Sequence, residues 1–280
     1  MRLVGCGDSW TWGAELVDPL EEPTPIMTLE GDNYWRQIKP INMAYREKHR
    51  YLNLLGEKLN AKEIVDLSKP AYSNEAIIRV LIQWLSDEGY TAGRDTSDLF
   101  VTIGWSSPER REFYTSNDKD QEFYFELGPW SADRKHGDDE WDDFFKLYVK
   151  HFWRERDFIR RWIHDVYKTE ALLKHLKINY IMHQAFYHHY LEPIHSWDDQ
   201  KYLKKGFEMV VQADRKLWND IDSVRFLNKD DKEIGTSHHY LLKQVNQDIR
   251  KVMLIWHPNE YGHKLWAEYL YDYITKNKLC

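Results

Sequence analysis

No stretch of about 18 consecutive apolar residues occurs in this 280-residue sequence, so no membrane-spanning helix is expected. An excess of positive charge is missing too. Lys and Arg number 39 against 46 Asp and Glu, a formal net charge of −7. Nucleic-acid binding needs a basic face, so that class of partner is not expected. Short basic clusters such as residues 154–161 are interrupted by acids and read as a solvated helix face. Cysteine is scarce: Cys6 and Cys280 lie at opposite ends of the chain. That excludes a Cys-x-x-Cys metal site, argues against a disulfide and fits a reducing compartment. The N-terminus has neither the charged nor the apolar region of a signal peptide, so the expected location at synthesis is the cytoplasm. There is no Gly-x-x-x-x-Gly-Lys phosphate loop and no dinucleotide-binding glycine set after the first strand. Internal repeats and low-complexity segments are absent, and no cofactor is called for.

What the chain does have is an ordinary globular balance, 42% hydrophobic and 30% charged. Its length suits one large domain, 1–280, with room for a sizeable insertion. Thirteen Trp and eighteen Tyr are far above average usage. Many must build the core. Others suit a pocket for a sugar or another flat ligand, since these rings join apolar area to a polar tip.

Along the chain, residues 2–4 read as a short buried strand. Residues 14–32, acidic and carrying Pro19, Pro23 and Pro25, read as a loop over the site edge. From Asn33, Tyr34, Trp35 and Ile38 form a helical patch that Pro40 ends. A helix over 45–60 and a strand over 63–67 follow. Residues 73–88 are predicted helical: Ala76, Ile77, Val80, Leu81, Trp84 and Leu85 recur at helical spacing, Ser73 or Asn74 caps the start and Gly89 stops it. Residues 98–104 form the clearest strand, short and apolar as a central parallel strand should be. Residues 105–140 read as a polar excursion and 141–176 as a long helical region, possible as two helices, the pair forming an insertion at about 105–176. A strand over 178–186, a His-bearing loop, a helix over 202–218, a strand over 224–227 and a helix over 238–248 come next. Pro258 is expected at the first position of the last helix, whose buried stripe is Leu265, Trp266, Tyr269, Leu270, Tyr273 and Ile274. Alternating strands and helices predict a three-layer α/β/α sandwich with a central parallel sheet.

The chain is organised around Gly5-Cys6-Gly7-Asp8-Ser9-Trp10-Thr11-Trp12-Gly13. A serine where a strand turns toward a helix lies at the carboxyl edge of a sheet, where open α/β proteins place their sites. The Gly-Asp-Ser-x-Thr-x-Gly pattern resembles the first block of the SGNH, or GDSL-like, hydrolases. His257-Pro258-Asn259-x-x-Gly262-His263 before an amphipathic helix resembles their last block. Thr102-Ile103-Gly104-Trp105-Ser106-Ser107 aligns with the Gly-x-Asn-Asp block, with Ser106 where the family has Asn. Pro70-Ala71-Tyr72-Ser73-Asn74 stands where the family has an oxyanion-hole Gly. A Ser-Asn second block and a Trp-Ser-Ser-Pro-Glu-Arg third block are similar to those of phage-encoded and marine bacterial members, so virion association is one location the resemblance implies. It also implies a flavodoxin-like strand order, Ser9 as nucleophile, His257 as base, and oxyanion donors among the Ser9 N–H, Ser73 (or Tyr72), Asn74 and Ser106.

The resemblance places an Asp three residues before the His, and this chain has Leu254 there. Such an acid holds the imidazole tautomer and stabilises the imidazolium. Three alternatives stand: a backbone carbonyl orients His257, another acid such as Glu260 or Asp248 reaches it, or the site is weakened. The functional expectation is a serine esterase acting on a small-molecule or glycan ester, plausibly a carbohydrate O-acetyl group. A non-catalytic glycan-binding or interaction module is the second reading. A metal-dependent hydrolase built on His183, His188, His189 and His195 with Asp198 and Asp199 is the third. Their spacing matches no standard zinc pattern. The sequence leaves the oligomeric state open.

Overall fold

The computed structural model describes residues 1–20, 39–116, 122–127, 139–152, 154–185, 214–231, 234–254 and 256–280. Four parallel strands form the central sheet: β1 (Arg2–Cys6), β2 (Glu63–Asp66), β3 (Leu99–Trp105) and β6 (Asn179–Gln184), in the order β2-β1-β3-β6. Register is set by pairs such as Val4 with Val65 and Val101, and Ile103 with Met182. Single parallel bridges join Met182 to Phe226 and Gln184 to Thr236 beyond β6. All seven residues of β3 are buried, which is why its sequence is apolar throughout.

The side-chain alternation of a strand sorts the sheet residues onto two faces. Val4, Cys6, Val101, Ile103, Trp105, Tyr180 and Met182 pack on one side, against α4 (Asn74–Asp87) and α6 (Glu155–His175). Leu3, Phe100 and Ile181 pack on the other, against α3 (Tyr51–Lys58), α8 (Ser237–Gln244) and α9 (Glu260–Asn277). This is the α/β/α arrangement expected from the sequence. Cys6 is fully buried on β1, Cys280 is exposed, and both are free thiols.

Several elements differ from expectation. Pro40 opens α2 (Pro40–His49), five residues before the helix expected from Tyr45; a proline there loses no hydrogen bond, because first-turn N–H groups lack helical partners. The expected helix over 45–60 is broken at Arg50, whose extended backbone (φ −72°, ψ 149°) separates α2 from α3. The break lets Arg50 pair with Asp66 at the end of β2 and with Asn53. The polar stretch 105–140 contains a hairpin, β4 (Arg111–Ser116) antiparallel to β5 (Glu122–Leu127). The region 141–176 is two helices, α5 (Asp139–Phe152) and α6. Leu127, Phe145 and Tyr148 form a small separate cluster with Phe113 and Trp141, whereas α6 belongs to the main core.

Residues 224–227 make only the bridge at Phe226, and α8 stops at Gln244 because Asn246 (φ 51°) and Gln247 (φ 68°) turn left-handed. α7 (Arg215–Asp220) is the described part of the helix expected over 202–218. Asn259, not Pro258, starts the last helix: its side chain accepts from Gly262 N, and the buried stripe is Gly262, His263, Trp266, Ala267, Leu270 and Ile274. The helical patch from Asn33 and most of the loop 14–32 lie outside the described residues, as do His188, His189, His195, Asp198 and Asp199.

Candidate active site

The chain crosses from β2 over β1 to β3, so the strand order reverses beside the carboxyl ends of β1 and β3. That is the switch point where open α/β sheets bind ligands. The Gly7-Asp8-Ser9 turn leaves β1 there and enters the one-turn helix α1 (Ser9–Trp12). Asp8 caps it, accepting from Trp10 N at 3.0 Å, while its carbonyl accepts from Trp12 N at 2.9 Å. Gly13, at φ 79°, closes it in the left-handed region. A Cβ on Gly104 would lie 2.7 Å from Thr11 Oγ1 and 3.0 Å from the His183 ring, so β3 must be bare at this point. Thr11 meets the Tyr51 hydroxyl at 2.9 Å, and that hydroxyl lies 3.4 Å from His183 Nε2.

The Gly-Asp-Ser turn is fixed by a buried polar network. Ser106 Oγ donates to Asp8 Oδ2 at 2.8 Å. Arg110 donates to the same carboxylate at 3.1 Å and to Ser106 Oγ at 2.9 Å. Asn74 accepts from Ser106 N at 2.8 Å and donates to Ser106 O at 3.2 Å and Ser107 O at 3.5 Å. Asp8 is wholly buried, so a charged partner offsets the loss of water around it. Each donor of Ser106 therefore already has an acceptor, and the Asn74 side chain ties α4 to the end of β3. Ser73 Oγ caps α4, accepting from Ala76 N at 3.1 Å.

The second block also has its own geometry. Tyr72 N–H closes a turn to Lys69 O at 3.3 Å, with Pro70 and Ala71 between them. Tyr72 N–H is thus directed into the turn rather than at a ligand. Ala71 holds φ 69°, the backbone region a glycine favours.

Ser9 is 6% exposed, and among the described residues its hydroxyl makes no hydrogen bond. His257 lies in the loop before α9, in a turn where Leu254 N donates to His257 O at 2.8 Å. A carboxylate not anticipated from the sequence meets it. Glu15 Oε1 is 3.1 Å from His257 Nδ1, within ion-pair range though off the line of a ring N–H bond, and Glu15 Oε2 accepts from Trp256 N at 3.1 Å. Glu260 and Asp248, the acids considered from the sequence, point elsewhere. Glu260 bonds Tyr45 and lies 3.7 Å from His49, while Asp248 pairs with Arg250 and Lys251.

Trp10 and Pro258, the neighbours of Ser9 and His257, line one enclosed cavity of about 10 Å³ with Tyr51, His183 and His263. It has room for a water, not a substrate. Burial pushes the His183 and His263 imidazoles down to about 3. Tyr51 N donates to His263 Nδ1 at 3.3 Å, which fits a neutral ring. A larger open cleft of about 480 Å³ lies on the other side of α1, lined by Trp12, Asp66, Ser68, Lys69 and Tyr72 among others. The Arg46 guanidinium covers one face of Trp12 at 3.3 Å. Among the described residues no His, Cys, Asp and Glu cluster could hold a metal, and no helix is long and apolar enough to cross a membrane.

A family model described as a family of unknown function (DUF6071) matches residues 35–280. No curated protein matches the chain. Among solved structures, the chain is similar to a psychrotrophic esterase, EstA, from Pseudoalteromonas sp.: 10% identity over 98% of this chain and 97% of that one, TM-score 0.43. An acetyl xylan esterase from Geobacillus stearothermophilus is 14% identical over 98% and 94%, TM-score 0.45. The acetyl xylan esterase AlAXEase is 12% identical over 97% and 98%, TM-score 0.43. These are likenesses of overall shape.

Proposed function

We propose that this chain, which belongs to the family of unknown function DUF6071, is a serine ester hydrolase of SGNH type. Ser9 Oγ attacks the acyl carbon while His257 takes the hydroxyl proton. The resulting oxyanion is held by the Ser9 N–H, a first-turn amide of α1 without a helical acceptor, with a further donor from the 73–74 block. Collapse expels the alcohol, which takes the proton from His257. Water then attacks the acyl-enzyme, His257 removes its proton, and Ser9 is regenerated with release of the acid.

One observation carries this reading. Glu15, six residues past Ser9, accepts from Trp256 N and lies 3.1 Å from His257 Nδ1, which supports a single site drawn from the two ends of the chain. A carbohydrate acyl ester is the substrate class that suits the neighbouring cleft. Tyr72 offers an aromatic ring and Lys69 a polar partner for hydroxyl groups, with Trp12, Asp66 and Ser68 in the wall behind them. The hydrogen bonds already made by Ser106 and the Asn74 side chain favour a second reading, a carbohydrate-binding module without turnover.

A fluorophosphonate probe and O-acetylated oligosaccharides separate the two. The enzyme reading expects covalent labelling at Ser9 and acetate release, both lost in Ser9→Ala and reduced by about 10³-fold or more in His257→Ala. Binding of the oligosaccharide with no labelling and no acetate release refutes it.

A further inference from the structure

We propose that Glu15 is the acid of this site, orienting His257 from the N-terminal side of the chain in place of a residue at position 254. The inference rests on the Ser9–His257 reading above. Both Glu15 oxygens face consecutive residues of the same loop: Oε2 accepts from Trp256 N at 3.1 Å and Oε1 lies 3.1 Å from His257 Nδ1. The first contact is a hydrogen bond to the loop, and the second sets a carboxylate within ion-pair range of the ring, which a small rotation of the imidazole would turn into an N–H bond. With Nδ1 turned to a carboxylate, Nε2 is the nitrogen left to take the Ser9 proton, and the carboxylate stabilises the imidazolium while that proton is held. Glu15 keeps its own charge throughout. The Glu15 and His257 side chains are only 13% and 19% exposed, so water screens the pair weakly.

The backbone points the same way. Glu15 holds φ 68°, a left-handed conformation that non-glycine residues rarely adopt, two residues after Gly13 at φ 79°. These two positions reverse the chain at the end of α1 and return a carboxylate toward the last loop. Strain of this kind persists where surrounding contacts fix it, and it concentrates at functional sites. Position 254 is a partly exposed leucine whose N–H bonds His257 O, so the loop supplies backbone support but no charge there. Nucleophile and acid then both come from residues 9–15, on one strand-to-helix turn, and the base alone comes from the far end.

The test uses the full-length protein with p-nitrophenyl acetate and the fluorophosphonate probe. Glu15→Gln is expected to lower kcat by about 10³- to 10⁴-fold with KM within about threefold. Ser9 labelling should slow in parallel, and Glu15→Asp should recover part of the loss. A downfield imidazole N–H proton resonance, assigned by its loss in His257→Gln, is expected in the wild type and should vanish in Glu15→Gln. Wild-type labelling at Ser9 together with near-normal kcat in Glu15→Gln overturns the role of Glu15 alone. So does the absence of that resonance in the wild type, which keeps the proposal testable should Glu15→Gln fail to fold. A wild type that neither labels nor hydrolyses overturns the proposed function and this role together.

Discussion

Asp8 and Ser9 sit in a turn clamped by Arg110 and by Ser106, itself tethered by Asn74 at the end of β3, with Asp8 fully buried. His257 follows Leu254 and Trp256, 37% and 45% exposed, in a loop joined by Leu254 N to His257 O, Asn259 N to Val252 O and the contacts of Glu15. The Ser9 side is built into the sheet, whereas the His257 side is laid against it. The difference teaches where precision is stored. A hydroxyl at a strand end inherits the rigidity of the core, but an imidazole on a loop needs a partner to fix its direction.

The comparison can be broken first at its rigid side. Arg110→Met leaves the Asp8 carboxylate buried without its cation, and the expected loss is about 3–5 kcal/mol in urea unfolding. An unchanged midpoint would show that the clamp is not electrostatic.

Acid probes the floor that both sides share. His183 and His263 bind a proton in the folded protein only near pH 3, whereas the unfolded chain takes one up near the ordinary value of 6.5. The unfolded state therefore binds more protons between those limits. Stability is intact above about pH 6.5 and falls as the pH drops toward 3, by about 1.4 kcal/mol per pH unit for each ring. Unfolding measured at pH 7, 6 and 5 checks this, and His263→Gln should flatten the slope.

The smallest effect is expected on the loose side. Asn259→Ala removes the cap of α9 and the bond to Lys251 O, at a cost of about 1 kcal/mol. If thermal melts show a loss as large as that of Arg110→Met, the two sides are equally built in and the contrast fails.

The sheet was legible because burial leaves a local trace. β3 is apolar at every position, and α4 repeats its apolar residues at helical spacing between Ser73 and Gly89. The β4–β5 hairpin was not legible, since its support is tertiary. Arg79 binds Glu112 and stacks at 3.6 Å over Tyr124, whose ring faces Tyr114. Ser9 and His257 were visible only through motif blocks. Glu15 was not, because a contact across 241 residues leaves no local pattern, and the left-handed turn that aims it carries no glycine at that position. The acids that sequence proximity suggested, Glu260 and Asp248, were drawn off by nearer partners.

Cys6 lies on β1, an inner strand of the sheet, where burial pushes its thiol well above the ordinary range, while Cys280 reaches solvent. A disulfide-exchange reagent should count one sulfhydryl in the native molecule and a second only after β1 is released. The chain thereby carries a built-in timer for the opening of the strand from which Ser9 departs, readable without any attached dye.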